Sequence, residues 1–145
     1  MSKVEDFLTL PEEQEIIDAI RDAEKNTSGE IRIHIERDSK RDVYDRAMEV
    51  FHYLKMDNTK QQNGVLIYVA VAAKAFVIYG DKGIDAVVPA NFWDSTKDII
   101  QSHFKANRFK QGLIEGVLKT GKQLEQHFPW IHGDLNELPN AISKG

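Results

Sequence analysis

The fold follows from one stretch of the sequence, "GVLIYVAVAAKAFVIYG", which runs from Gly64 to Gly80. Every position from Val65 to Val71 is apolar. A strand that is apolar on both faces is typical of the centre of a sheet that helices cover on both sides. Residues 72–74 turn the chain back into a second strand over 75–79. The stretch therefore predicts an antiparallel hairpin whose first strand is central.

The segment before this hairpin predicts a second central strand. Ile31, Ile33 and Ile35 alternate with polar residues, which is strand periodicity. Apolar residues at helical spacing over 43–54 separate this strand from the hairpin. Because the two strands are joined through a helix, we expect them to be parallel, with a right-handed crossover.

Helical patterns on either side complete the layers. A capping box of Thr9 and Glu12 opens a first helix, and apolar residues recur at helical spacing over 92–103 and 109–128. The order α-β-α-β-β-α-α predicts a three-layer α/β/α sandwich with a mixed central sheet. We assign residues 1–129 to this domain. Residues 130–145 lose periodicity, and we assign them to an irregular C-terminal tail.

Length and composition limit the classes of function. The chain has 145 residues, the size of one domain, and a net charge of −4 without a basic block, so we expect no nucleic-acid binding. It has no cysteine, which excludes disulfides, thiolate catalysis and Cys-rich zinc sites. The N-terminus lacks the apolar region of a signal peptide, and the longest apolar run, 64–73, is too short to span a bilayer. We therefore expect a cytoplasmic monomer without membrane insertion.

Polar side chains should gather at one end of the predicted sheet. The two parallel strands begin at Glu30 and at Asn63–Gly64, and the third strand, which runs the opposite way, ends at Asp81 and is followed by Asp85. Three carboxylates and an amide offer hard oxygen ligands, which suit calcium or magnesium better than zinc. Without a cation, the crowded carboxylates would repel one another and raise their pKa values.

A purely structural interpretation of the same residues stays open. The sequence "GDKG", residues 80–83, is typical of a tight turn, because glycine permits positive φ and aspartate bonds its own local backbone. Asp85 could cap a short helix, and Glu30 could be solvated. On this interpretation the turn needs no ion.

Two other segments are interpreted without a ligand. The segment "GVLKTGKQ", residues 116–123, nearly matches a phosphate-binding loop, but Gln123 replaces the required hydroxyl residue and no strand precedes it. Its glycines are better explained by close helix packing. The charged run from Glu36 to Arg46 is predicted to be a solvated loop and helix start.

Three segments together resemble the TPM domain family, which includes the thylakoid lumen protein of photosystem II repair and many bacterial proteins. They are "TSGEIRIHI" (27–35), "NGVLIYVAVAAKAFVIYGDKGID" (63–85) and "FKANRFKQGLIEGV" (104–117). The resemblance covers about residues 10–129, and the chain looks like one of the short, soluble, tail-bearing members from the Bacteroidetes. It implies an α/β/α sandwich with a divalent-cation site in the loops at one end of the sheet.

Carried over to this sequence, the resemblance implies that Asp81 and Asp85 hold the cation. Asn63 and Gly64 would support the site, and Glu30 could lie nearby. The plant member of the family has been assigned acid phosphatase activity. We expect no targeting peptide or membrane anchor, and the C-terminal tail differs from those members, so a role in the thylakoid lumen is not expected to transfer.

Three functions follow as alternatives. The first is a calcium- or magnesium-binding domain with little or no catalysis, since no nucleophile accompanies the oxygen cluster. The second is a metal-dependent phosphatase, in which the ion activates water and Lys82 offsets phosphate charge. The third is an interaction module that binds an unidentified protein partner through the tail "DLNELPNAI", residues 134–142. We favour the first.

Overall fold

A mixed four-stranded sheet forms the centre of the protein in a computed structural model, which describes residues 7–130 and 142–144. The strands are β1 (Glu30–Glu36), β2 (Gly64–Ala70), β3 (Ala75–Gly80) and β4 (Ile142–Lys144), in the order β3-β2-β1-β4. β1 runs parallel to β2, with Glu30 opposite Gly64, and β3 runs antiparallel to β2, with Gly80 opposite Val65. The predicted parallel pair and hairpin are confirmed.

Helices cover both faces of the sheet. They are α1 (Leu10–Glu24), α2 (Val43–Tyr53), the single-turn α3 (Lys82–Asp85), α4 (Asp94–Lys105) and α5 (Phe109–His127). One apolar core lies between the sheet and α1, α4 and α5, and a smaller one lies between the sheet and α2. The predicted three-layer α/β/α arrangement is confirmed. Among the described residues no helix is both long and apolar enough to cross a membrane.

The central strand β2 explains why the sheet is buried on both sides. All of its residues are buried. Val65, Ile67 and Val69 belong to the larger core, whereas Leu66, Tyr68 and Ala70 belong to the core beneath α2. Because successive side chains of a strand point to opposite faces, an unbroken apolar run supplies both cores at once.

The glycines of α5 serve helix packing, as the sequence predicts. A Cβ atom on Gly121 would lie 2.6 Å from the backbone oxygen of Ala23 in α1, and a Cβ atom on Gly116 would lie 2.6 Å from the side chain of Ile100 in α4. Both positions lie within the 19 residues of a continuous helix. The absence of side chains therefore lets α5 approach both neighbouring helices closely.

The C-terminal tail is not irregular throughout. Ile142–Lys144 form β4, which pairs parallel to β1 with Ile142 opposite Ile33. Three paired residues carry too short a pattern to be recognised in sequence, and the pattern therefore predicts an irregular tail. Residues 131–141 lie outside the described residues, and so does most of the segment proposed to bind a partner.

Candidate functional site

The backbone brings the predicted site residues to one end of the sheet. The Glu30 N–H donates a hydrogen bond to the Asn63 carbonyl oxygen at 3.4 Å, and the Asp81 N–H donates to the Gly64 oxygen at 3.0 Å. The N–H of Asp85, one turn later, donates to the Asp81 oxygen at 3.2 Å. We call this set of five residues the acidic end of the sheet. The predicted convergence of their backbone positions is confirmed.

Asp81 has a buried carboxylate, and one of its two oxygens accepts a hydrogen bond. Its side chain is 6% exposed, and Oδ1 accepts a hydrogen bond from the Lys82 N–H at 2.8 Å, which caps α3. The other oxygen, Oδ2, is buried and has no hydrogen-bond partner within the part of the chain that the structure describes. A buried acceptor without a partner costs free energy, so this oxygen is suited to an external ligand.

Asn63 presents a second unsatisfied oxygen at the same end. Its side chain is 1% exposed, and its Nδ2 donates to the Ser28 hydroxyl at 3.2 Å. The amide oxygen, Oδ1, is buried and has no partner among residues 7–130 and 142–144. Because Ser28 holds the amide nitrogen, the amide is oriented with its oxygen as the remaining free group.

The turn after β3 packs against the loop that precedes β2. The Gly83 N–H donates to the Gln62 oxygen at 2.8 Å, and a Cβ atom on Gly83 would lie only 2.1 Å from the Gln61 oxygen. Gly83 is therefore required by this close approach of two backbones. The turn interpretation is correct for Asp81, whose side chain bonds the Lys82 N–H, but wrong for the glycines, since neither Gly80 nor Gly83 has a positive φ. The packing of Gly83 holds Asp81 beside Asn63–Gly64.

Asp85 is exposed, at the end of α3. Partial desolvation raises its pKa, and the nearby charge of Asp81 raises it further. This agrees with the expectation that carboxylates crowded at this end raise one another's pKa. Asp85 is accessible to a ligand from solvent, whereas the free oxygen of Asp81 is buried.

Glu30 is buried at 3% exposure and has a carboxyl neighbour that sequence reasoning missed. That neighbour is Glu24, the last residue of α1, whose Oε2 accepts a hydrogen bond from the Ile31 N–H at 2.7 Å. Burial raises the pKa of Glu24 to about 8; the Ile31 hydrogen bond opposes the rise, and the charge and hydrogen bond of Glu30 add to it. The Glu30 carboxyl is therefore engaged with α1, and nothing in the sequence pattern indicated that contact.

A second polar cluster lies at the opposite end of β1, and it is internally satisfied. Glu36 is buried at 6% exposure and accepts hydrogen bonds from Arg46 Nε at 2.8 Å, from Arg46 Nη2 at 2.9 Å and from the Tyr68 hydroxyl. His34 Nε2 lies 3.3 Å from Glu36 Oε1. The expectation that the run from Glu36 to Arg46 is solvated is wrong at Glu36, because the helix α2 folds Arg46 back over it.

Hydrogen bonding keeps Glu36 ionised. Burial alone would raise its pKa, but the bonds from Arg46, Tyr68 and His34 outweigh burial and lower it to about 2. Burial lowers the pKa of His34, although Glu36 opposes this shift. Since the donors around Glu36 match its oxygens, this cluster is a structural ion pair. The acidic end differs from it by its unsatisfied oxygens.

The donor set at the acidic end is mixed. No group of three or more His, Cys, Asp or Glu side chains that could hold a metal ion occurs within residues 7–130 and 142–144. A cation there would need the amide oxygen of Asn63 and backbone oxygens or waters in addition to the carboxylates. Calcium accepts such mixed oxygen sets, and magnesium retains several waters.

The fold and this arrangement define an α/β/α protein with an acidic end, and comparison identifies its family. A family model described as the TPM domain (TPM phosphatase) matches residues 1–123. The chain belongs to the TPM domain family. A search of curated proteins gave no match.

Solved structures share the fold. The chain is similar to the NMR structure of the BA42 protein from the psychrophilic bacterium Bizionia argentinensis, with 66% identity, 100% of each chain covered and a TM-score of 0.93. The N-terminal domain of a P. gingivalis protein has 18% identity and a TM-score of 0.70 over 84% of this chain and 79% of its own. The N-terminal domain of cg2496 from Corynebacterium glutamicum has 9% identity and a TM-score of 0.62 over 95% of this chain and 81% of its own. The last two show the fold alone.

Proposed function

We propose that this protein binds a divalent cation, calcium or magnesium, at the acidic end of its sheet. The observation that carries the proposal is the pair of buried oxygens, Asn63 Oδ1 and Asp81 Oδ2, which have no hydrogen-bond partner within the described residues. They belong to the residues that precede β2 and follow β3, and the Asp81 N–H bonds to Gly64. Two unsatisfied acceptors at adjacent strand ends fit a cation, because a cation can satisfy both.

The ligands would be drawn from both sides of the turn. Asp81 and Asn63 would supply the buried oxygens, and Asp85 would approach from the exposed side. Gly64 supports the site through its backbone hydrogen bond to Asp81, and the Glu30 carboxylate would contribute charge from the neighbouring strand. Desolvation is the main cause of the raised pKa of Asp85, and the charge of Asp81 adds to it. A bound cation would offset this repulsion between the two carboxylates.

Thermal unfolding with added metal tests this proposal. A ligand that binds only the folded state raises the unfolding temperature, and the rise grows with ligand concentration. We expect calcium chloride or magnesium chloride to stabilise the wild-type protein at matched ionic strength. Asp81→Asn keeps an oxygen to cap α3 but removes the charge, so the metal-dependent rise should be lost.

The matched control is Asp98→Asn, which removes an exposed carboxylate from α4, outside the five residues of the acidic end. It should retain the full metal response. Equal responses of wild-type protein, Asp81→Asn and Asp98→Asn would contradict the site, since the effect would then be non-specific.

A metal-dependent phosphatase is a second candidate, favoured by the exposed Lys82 beside Asp81 and by the name of the matching family model. In that case the ion would polarise a phosphoryl oxygen and activate water, and Lys82 would offset charge on the phosphate. Hydrolysis of p-nitrophenyl phosphate with calcium or magnesium tests it. Turnover above the blank that Asp81→Asn abolishes would support an enzyme, and turnover equal to the blank would leave cation binding alone.

A further inference from the structure

β3 is an edge strand with an unpaired side. It lies at one edge of the sheet, whose strand order is β3-β2-β1-β4, and among the described residues no strand pairs with its outer side. Its sequence, "AFVIYG", contains no charged residue and no proline. All of its residues except Ile78 remain partly accessible. Edge strands commonly carry lysine, proline or a bulge that prevents pairing with another chain, and β3 has none of these within its length.

The register of the hairpin shows which backbone groups point outward. The Asp81 N–H donates to the Gly64 oxygen, and residues 64 and 81 lie opposite each other because Val65 is opposite Gly80. Bonded and non-bonded positions alternate along an antiparallel pair. Phe76, Ile78 and Gly80 therefore direct their N–H and C=O groups away from β2.

A groove runs beside this unpaired side. It is a cavity of about 310 Å³ between β3 and α4, lined by Lys74, Ala75, Phe76, Gln101, Phe104 and Lys105. The Phe76 and Phe104 rings pack edge to face with centroids 5.4 Å apart and form its apolar floor. A side chain from an added strand would lie on these rings, because neighbouring strands are about 5 Å apart.

The charged side chains that line the groove are all positive among the described residues. Among the described residues, Lys74 and Lys105 contribute the ionisable groups of its lining, and no carboxylate of residues 7–130 or 142–144 lines it. Lys74 Nζ donates to the Asn107 amide oxygen at 2.9 Å, and neither lysine forms an ion pair with a carboxylate in the described part of the chain. The groove therefore favours an acidic occupant.

We propose that the free edge of β3 binds an extended acidic segment of a partner protein by strand addition. The partner backbone would bond to Phe76, Ile78 and Gly80. One apolar side chain would lie on Phe76 and Phe104, and acidic side chains two residues away on the same face would pair with Lys74 and Lys105. Backbone pairing gives affinity in this mode of recognition, and alternate side chains give specificity. The inference is independent of the proposed cation site.

An amide NMR titration with a defined peptide tests the proposal. The probe is acetyl-Thr-Glu-Thr-Leu-Thr-Glu-Thr-amide, which places leucine between two glutamates on one face of a strand in either direction. At about 1 mM peptide, where weak complexes are populated, we expect saturable shifts at the amides of Phe76, Ile78 and Gly80. A peptide with lysine in place of both glutamates should bind at least about tenfold more weakly, since like charges are juxtaposed.

Two further comparisons separate strand addition from simple charge attraction. Two N-methylated peptides remove the backbone donors that would face β3, one methylated at Leu and both Glu (antiparallel pairing) and one at the two central Thr (parallel pairing). Strand addition predicts that one of the two loses binding although the charge is unchanged. On the protein, Lys105→Glu should weaken binding about fivefold, as expected for one exposed ion pair. The control Lys97→Glu makes the same charge change on the exposed surface of α4 outside the groove and should have no effect.

Other results would overturn the proposal. They are an absence of shifts at β3, equal binding of the glutamate and lysine peptides, undiminished binding of both N-methylated peptides, or equal weakening by the two lysine substitutions. Concentration-dependent shifts at β3 without peptide would identify a second copy of this chain as the occupant and would also contradict it.

Discussion

Substituting Glu36 by glutamine should strongly destabilise the fold. Glu36 accepts two bonds from Arg46 and one from Tyr68, and it lies at 6% exposure. Glutamine preserves the shape but removes the charge and presents an N–H₂ group to donors. The Arg46 guanidinium would then be left without its main counter-charge. Removing one partner of a buried ion pair is costly for this reason.

The pKa of Glu36 gives the magnitude. Its fall from the ordinary value of 4.5 to about 2 corresponds to about 3 kcal/mol of stability at neutral pH. Because the pKa is lower in the folded state, this contribution is present in full above pH 4.5. It is lost as the pH falls through 4.5 towards 2.

Urea unfolding monitored by circular dichroism at several pH values checks this magnitude. At pH 7 the free energy of unfolding of Glu36→Gln should be about 3 kcal/mol lower than that of wild type. As the pH falls from 4.5 to 2, the difference should shrink. The control Glu49→Gln removes a carboxylate that contacts the same guanidinium at 2.7 Å but is 42% exposed, and it should have little effect.

Two results would refute this reasoning. One is a small difference between Glu36→Gln and wild type at pH 7. The other is a large difference that stays constant down to pH 2, which would indicate lost packing instead of lost charge. Both comparisons require that the slope of the free energy of unfolding against urea concentration is the same in variant and wild type. An equal slope shows that the same unfolding transition is measured.

Three further substitutions test the packing, each by urea unfolding. Gly83→Ala should cost about 1–3 kcal/mol, because its Cβ would lie 2.1 Å from a backbone oxygen of the loop before β2; unchanged stability would contradict the close approach. Gly121→Ala should destabilise by a similar amount although alanine favours helix, since its Cβ would meet the Ala23 oxygen at 2.6 Å; a stabilised variant would show that α1 and α5 lie further apart. Thr9→Ala should cost about 1 kcal/mol because it removes the observed cap of α1, whereas Thr9→Ser should cost little.

The sequence predicts the fold well where a pattern is long and local. The apolar run of β2 fits a central strand that helices cover on both faces. This position in the sheet then determines where the other strands lie. The capping box of Thr9 and Glu12 is visible because it spans three residues, and both of its hydrogen bonds form. β4 escaped prediction because three residues carry no pattern and their pairing depends on a distant strand.

The sequence predicts which backbone positions meet at the acidic end, but it predicts only some of the side-chain contacts there. Strand direction alone brings Asn63 and Asp81 together. The contact between Glu24 and Glu30 depends on where α1 ends relative to the sheet, which periodicity does not specify. The same is true of Glu36, whose charge predicts solvation unless a later helix returns an arginine to it. Buried polar partners far apart in sequence are where pattern reasoning fails.

Amide NMR titration with calcium and then magnesium tests most directly whether a divalent cation binds at the acidic end. We expect saturable shifts at Asn63–Gly64 and at residues 80–86, and their loss in Asp81→Asn but not in Asp98→Asn. Shifts spread evenly over the exposed carboxylates, or none at millimolar metal, would contradict it, and the turn after β3 would then be structural only.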